Sequence, residues 1–168
     1  MTTHEGACEC GAVRYRLADD PITVNCCHCR DCQRITGSAF ALNGMIETDR
    51  IAVLTGEPEE RTLERDDIGG TRAWRCPTCE ALLWADHPMF GDMIRFVRMG
   101  TLDHADTLAP DAHYFIRSRH PWVTIPAAVP QFETLPEQGA GATLPEARAA
   151  RLRDVMARVD ASRDPRNR

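Results

Sequence analysis

Eight cysteines crowd the first half of a 168-residue chain, at Cys8, Cys10, Cys26, Cys27, Cys29, Cys32, Cys76 and Cys79. Any fold of this chain has to accommodate three cysteine-bearing segments, at 8–10, 26–32 and 76–79. A disulfide framework is one way to do so, and it suits small secreted domains. This chain is long enough for one domain with its own core. Its first residues, MTTHEGACECGAVRY, lack a basic stretch followed by an apolar one. They do not read as a secretory leader, so a cytoplasmic location is expected, where thiols stay reduced. Metal binding is then the better reason for so many cysteines.

Charge narrows the partners. The chain carries 25 acidic and 20 basic residues, a net charge of −5. That argues against nucleic acid or an anionic membrane as the main partner. No apolar run is long enough to span a bilayer. Every basic residue is arginine, which excludes Schiff-base lysine chemistry.

Zinc takes four ligands in a tetrahedron, and structural sites favour thiolates. Cys76-Pro77-Thr78-Cys79 has the spacing that lets a tight turn offer two sulfurs to one ion. Cys8-Glu9-Cys10 is shorter, with Gly11 giving the backbone room just afterwards. Each pair is incomplete alone. Joined across the fold, Cys8, Cys10, Cys76 and Cys79 make a closed structural zinc site. A redox dithiol is the competing reading of CxxC, but that motif belongs in a βαβ setting, and this region reads as strand to strand.

The remaining run is Cys26-Cys27-His28-Cys29-Arg30-Asp31-Cys32. Cys27, Cys29 and Cys32 can surround one ion from a single loop. Cys26 and His28 adjoin those ligands, and adjacent residues seldom aim at one metal. Three protein ligands and an open position describe a catalytic-type zinc site. Three thiolates make a weak activator of water but suit the holding of an exogenous thiol as thiolate. Arg30 and Arg34 are candidates to offset the negative charge, or are ordinary surface residues. A rival ligand set, Cys26, Cys29 and Cys32, has iron–sulfur spacing, but Thr36 stands where a fourth cysteine is expected.

The rest of the chain reads mainly as short strands. Alternation predicts one at 12–17. Others are expected at Ala39–Met45, Ile51–Leu54, Arg61–Glu64, Thr71–Arg75, Leu82–Ala85, Ile94–Val97 and His113–Arg117. Turn residues separate them at Thr48-Asp49, Gly56-Glu57-Pro58, Gly69-Gly70 and His87-Pro88. A short helix is expected at 30–36, stopped by Gly37. His4 is assigned to a mobile terminus. After Pro136 a linker, Gln138–Gly141, precedes a helix opened by Thr143-Leu144-Pro145-Glu146, which has capping-box spacing. Its stripe of Leu152, Val155, Met156 and Val159 packs either on its own domain or on a second subunit, as a homodimer. Ser162–Arg168 are expected to be disordered. The division is a zinc-binding domain at 1–135 and a linker with helical extension at 136–168.

Five blocks together resemble the glutathione-dependent formaldehyde-activating enzymes, the CENP-V/GFA family. They are CECGAVRY at 8–15, CHCRDCQRITGSAFA at 27–41, CPTC at 76–79, HYFIRSRHPW at 113–122 and VPQFE at 129–133. The resemblance implies a mainly β, Mss4-like fold of short antiparallel strands stapled by zinc. It implies two zinc ions per chain, a structural one on Cys8, Cys10, Cys76 and Cys79 and a second on Cys27, Cys29 and Cys32. It implies a carbon–sulfur lyase that joins formaldehyde to glutathione, or another aldehyde to another thiol. A non-enzymatic binding module of the same fold is the alternative; that branch brings a basic extension, which this chain lacks. Glu80 stands where the family usually has glycine. His28, Gln33, Ser38 and His120 are further polar candidates near the matched blocks, and Trp74, Trp84 and Trp122 read as core or pocket wall.

Overall fold

The computed structural model describes residues 2–64, 70–137 and 139–164. Among these residues eleven strands form two sheets, with two α-helices and several single 3-10 turns. The smaller sheet is antiparallel and joins β1 (His4–Ala7), β2 (Arg14–Leu17) and β5 (Ile51–Thr55) in that order. The larger contains β3 (Thr23–Cys27), β4 (Ala41–Glu47), β6 (Glu59–Leu63), β7 (Thr71–Arg75), β8 (Leu82–Ala85), β9 (Ile94–Arg98), β10 (Ala112–Tyr114) and β11 (Gln131–Phe132). Its order is β11-β10-β3-β4-β9-β8-β7-β6. A 3-10 turn at Thr48–Arg50 carries the chain from β4 into β5, and so from one sheet to the other.

Most of the expected strands are present. The segment from His113 to Arg117 instead divides, with β10 ending at Tyr114 and a 3-10 turn at Ile116–Ser118. β10 also runs parallel to both β3 and β11, where only antiparallel pairing was expected. The long connection from β10 to β11, residues 115–130, makes the latter pairing feasible, because consecutive parallel neighbours need a crossover. His4 is not in a mobile terminus: it belongs to β1, and its Nε2 lies 2.7 Å from Asp20 Oδ1. Gly69 lies outside the described residues.

The main core lies between the sheets and gathers Val13, Tyr15, Leu17, Val24, Ile46, Leu83, Trp84, Val97 and Met99. Tyr15 meets Trp84 edge-on at 5.3 Å, and its hydroxyl is 2.6 Å from Thr101 Oγ1. A second core forms where α2 (Glu146–Arg163) covers the large sheet. Val155 and Val159 are buried there with Ile22, Met45 and Ile94, and Leu152 packs against the group. Leu152, Val155 and Val159 of the apolar stripe thus pack on their own chain. Arg151 Nε donates to Glu47 Oε1 at 2.8 Å, and Arg148 Nη2 donates to Asp111 Oδ1 at 2.8 Å. Thr143 does not cap the helix; Pro145 holds the cap position without a side-chain bond. The helix also runs further than expected, through Ser162 and Arg163, and Arg163 Nη2 donates to the Met89 carbonyl at 2.8 Å. Pro165–Arg168 lie outside the described residues.

Candidate metal centres and their surroundings

Two turns bring Cys8, Cys10, Cys76 and Cys79 together. One links β1 to β2 and the other links β7 to β8. In the first, Cys8 N donates to Val13 O and Gly11 N to Cys8 O, both at 3.0 Å. In the second, Cys76 N donates to Ala81 O and Glu80 N to Cys76 O, both at 3.0 Å. Each turn is completed by a residue with positive φ, Gly11 at 75° and Glu80 at 59°. Gly11 takes that conformation freely, whereas Glu80 is strained in it.

The four sulfurs lie within 4.8 Å of one another. Cys10 Sγ is 3.6 Å from Cys8 Sγ and 3.8 Å from Cys76 Sγ. A tetrahedron with zinc–sulfur bonds of about 2.3 Å has edges of about 3.8 Å. A disulfide would need about 2 Å. The donor set and its spacing therefore fit zinc. Backbone N–H groups also point at sulfur, from Val13 to Cys8 at 3.2 Å and from Thr78 to Cys76 at 3.4 Å. N–H bonds from Ala81 and Cys10 hold the Cys79 thiol below its ordinary range. Such bonds favour the thiolate, which is the form that ligates metal.

The second cluster sits where β3 runs into α1 (Arg30–Thr36). Cys27 is the last residue of β3, Cys29 caps α1, and Cys32 lies in its first turn. Gly37, at φ 62°, ends the helix as expected. The sulfurs of Cys27, Cys29 and Cys32 lie within 4.8 Å of one another, and no fourth His, Cys, Asp or Glu among the described residues joins the group. Cys27 and Cys32 donate to Cys29, and N–H groups of Cys32 and Asp31 add to this, so the Cys29 thiol is held down to about 2. The same interactions push the Cys27 thiol up. The three titrate as a unit. Cys26 is not part of it. Neighbours on a strand face opposite sides of the sheet, and Cys26 is buried between Leu42 and His113, its thiol pushed up to about 11 by burial. That placement removes the iron–sulfur ligand set.

Around the cluster the structure adds partners from distant segments. His28 Nε2 lies 2.9 Å from His113 Nδ1, both rings buried and stacked with centroids 5.2 Å apart. Gln33 Nε2 donates to the carbonyls of His28 at 2.7 Å and Ser118 at 2.9 Å. Its amide ties the ligand loop to the segment after β10. Arg30 Nη1 donates to Gln33 Oε1 at 2.8 Å. Arg98 on β9 is a further cation in these surroundings: burial pushes its guanidinium below the ordinary range, and Cys32 and Cys27 act in the opposite direction.

A groove of about 800 Å3 runs along the neighbouring face of α1, lined by Arg30, Gln33, Arg34, residues 37–40, His120 and Trp122. Among the described residues no carboxylate lines it, although the chain is acidic overall. Trp122 is 73% exposed and stacks on His120, with centroids 5.3 Å apart and 7° between planes. Of the sequence candidates, Gln33, Ser38 and His120 meet at this groove, and His28 lies buried behind it. Trp84 is a core residue, while Trp74 packs under the Arg95 guanidinium at 4.2 Å.

A family profile described as glutathione-dependent formaldehyde-activating enzyme matches residues 3–118. The chain belongs to that family. The matched span contains all seven clustered sulfurs, Arg98 and the α1 face of the groove. A relative from Halomonas elongata, whose name provisionally makes it a glutathione-dependent formaldehyde-activating enzyme, is 24% identical over 127 residues. The alignment covers 72% of this chain and 80% of that one. A solved protein from Rhodobacter sphaeroides superimposes with a TM-score of 0.46 at 18% identity, over 59% of this family member and 87% of that chain. No helix among the described residues is long and apolar enough to cross a membrane.

Proposed function

We propose that this chain is a zinc-dependent carbon–sulfur lyase of the cytoplasm that forms or cleaves thiol–aldehyde adducts, with glutathione and formaldehyde as the reference pair. The observation that carries the reading is the grouping of Cys27, Cys29 and Cys32 without a fourth ligand among the described residues, beside an arginine-lined groove. Two ions per chain are assigned. Cys8, Cys10, Cys76 and Cys79 hold the structural one, and Cys27, Cys29 and Cys32 hold the other. Zinc at the open site supplies a position where a thiol is held as thiolate at neutral pH.

The chain's own residues do the rest. Arg30 and Arg34 offer guanidinium groups to the carboxylates of a thiol such as glutathione. The exposed face of Trp122 covers the apolar part of its backbone. Gln33 fixes the His28 carbonyl and so the aim of Cys27 and Cys29 on either side of it. In the synthetic direction the bond formed joins the thiol sulfur to the aldehyde carbon, and the thiol proton ends on the former carbonyl oxygen. No redox partner is needed. Residues 1–135 are assigned this chemistry, and α2 braces the large sheet.

Exchange NMR on glutathione with formaldehyde tests the activity. The protein should accelerate interconversion with the hydroxymethyl adduct, and Cys27→Ser should abolish the acceleration. A wild-type protein holding two zinc ions yet giving no acceleration with this pair or with other thiol–aldehyde pairs overturns the lyase reading.

A further inference from the structure

Arg98 ends β9, far in sequence from every cysteine of the open site. The sheet register brings it close. Asn25 of β3 pairs with Asn43 of β4, and Asn43 pairs with Arg98. Residues paired in register share a face of the sheet, and so do residues two apart on a strand. Arg98 therefore lies on the face that carries Cys27. Its Nη1 donates to Asn43 Oδ1, its Nε is buried without a hydrogen-bond partner, and no ion pair among the described residues includes it. Burial pushes its guanidinium below the ordinary range, while Cys32 and Cys27 favour the charged form and Arg75 opposes it. A buried guanidinium without a carboxylate is costly unless another negative group compensates it.

We propose that Arg98 is the fixed counter-charge of the three-sulfur site, retained to hold the cation there and to admit an anionic fourth ligand. This rests on the assignment of Cys27, Cys29 and Cys32 as ligands. Three thiolates and a divalent ion sum to one negative charge, and Arg98 brings the site to neutrality. An incoming thiolate then meets a neutral centre instead of an anionic one. Arg30 and Arg34 do not duplicate this role, because they line the groove on the adjoining face of α1. Arg98 is a positioning and charge-balancing residue, not a catalytic one.

Stepwise release of zinc to a chromophoric chelator tests it, with the four-sulfur site as internal reference. Arg98→Met should weaken the three-sulfur site about 10- to 100-fold, the usual cost of losing an outer partner of a metal ligand, and leave the four-sulfur site unchanged. Arg98→Lys should recover most of the loss, because it keeps the charge. Asn43→Ala, which removes the hydrogen bond but not the charge, should release zinc like the wild type. Cobalt-loaded protein titrated with 2-mercaptoethanol gives a second readout: the absorption change should need a higher thiol concentration in Arg98→Met only. Equal release from wild type and Arg98→Met overturns the proposal while sparing the site. Equal losses in Arg98→Met, Arg98→Lys and Asn43→Ala mean that Arg98 only staples β4 to β9, and overturn it too. A wild type that holds one zinc ion overturns the site assignment itself.

Discussion

Arg151→Met should detach the strongest polar clamp between α2 and the large sheet. Arg151 grips Glu47 with two nitrogens, Nε to Oε1 at 2.8 Å and Nη2 to Oε2 at 2.5 Å, and Nη1 reaches the Asp20 carbonyl at 2.8 Å. The Glu47 side chain is 7% exposed and that of Arg151 is 18% exposed. Removing one partner from a fully buried pair costs about 3–5 kcal/mol. This pair is partly wet, and Arg50 Nε remains 3.3 Å from Glu47, so about 2 kcal/mol is the expected loss once solvent screening is allowed for. At this chain length that lowers Tm by about 4–8 °C. The pH dependence has a definite sign. Burial pushes the Glu47 carboxyl up, but the Arg151 hydrogen bonds and the charges of Arg151 and Arg50 outweigh it, so the folded value lies below the ordinary one. The stabilisation is complete above the unfolded pKa, about 4.3, and is lost as pH falls through the folded value. Urea unfolding at neutral pH and near pH 3, in a cycle with Glu47→Gln, measures both the loss and the coupling. A neutral-pH loss below about 0.5 kcal/mol, or a gap between wild type and Arg151→Met that does not narrow in acid, refutes the argument.

Three further outcomes are expected. Cys27→Ser should reduce the zinc content from two ions to one and leave a tightly held ion behind; Cys76→Ser should instead lose the tight ion and destabilise the fold, as read by metal analysis and thermal melting. Glu80→Gly should raise stability by about 0.5–1 kcal/mol, because glycine relieves the positive φ and loses only part of that gain in unfolded-state entropy; urea midpoints measure it. Val155→Ala should cost about 2 kcal/mol, since Val155 is 1% exposed in the core beneath α2; a loss under half of that in urea unfolding would mean that the helix is not packed as described.

The cysteine turns were legible in the sequence because their chemistry is local. A two-residue spacing fixes two sulfurs on one turn, Gly11 and Gly37 mark where the backbone turns left-handed, and adjacent residues on a strand must part, which separates Cys26 from Cys27. The helix from Glu146 was legible by its apolar stripe, but the stripe alone did not say which surface it covers. That depends on Ile22 just before β3, Met45 of β4 and Ile94 of β9, which come from separate stretches of the chain. His4 was misjudged for the same reason: the bond that anchors it is to Asp20, across a strand pairing the local pattern does not reveal.

The sequence by itself determined which side chains can bind metal, seven sulfurs divisible into four and three, because ligand type and short spacing are properties of the chain. Only the tertiary structure decided what surrounds them. The strand order β3-β4-β9 brings Arg98 to the three sulfurs, and the parallel pairing of β10 with β3 sets His113 against His28. Strand order is a global outcome of burying two sheets and a helix together, and no window of sequence contains it. The surroundings of the three sulfurs are therefore a product of packing, while the candidate donors could be read from the sequence.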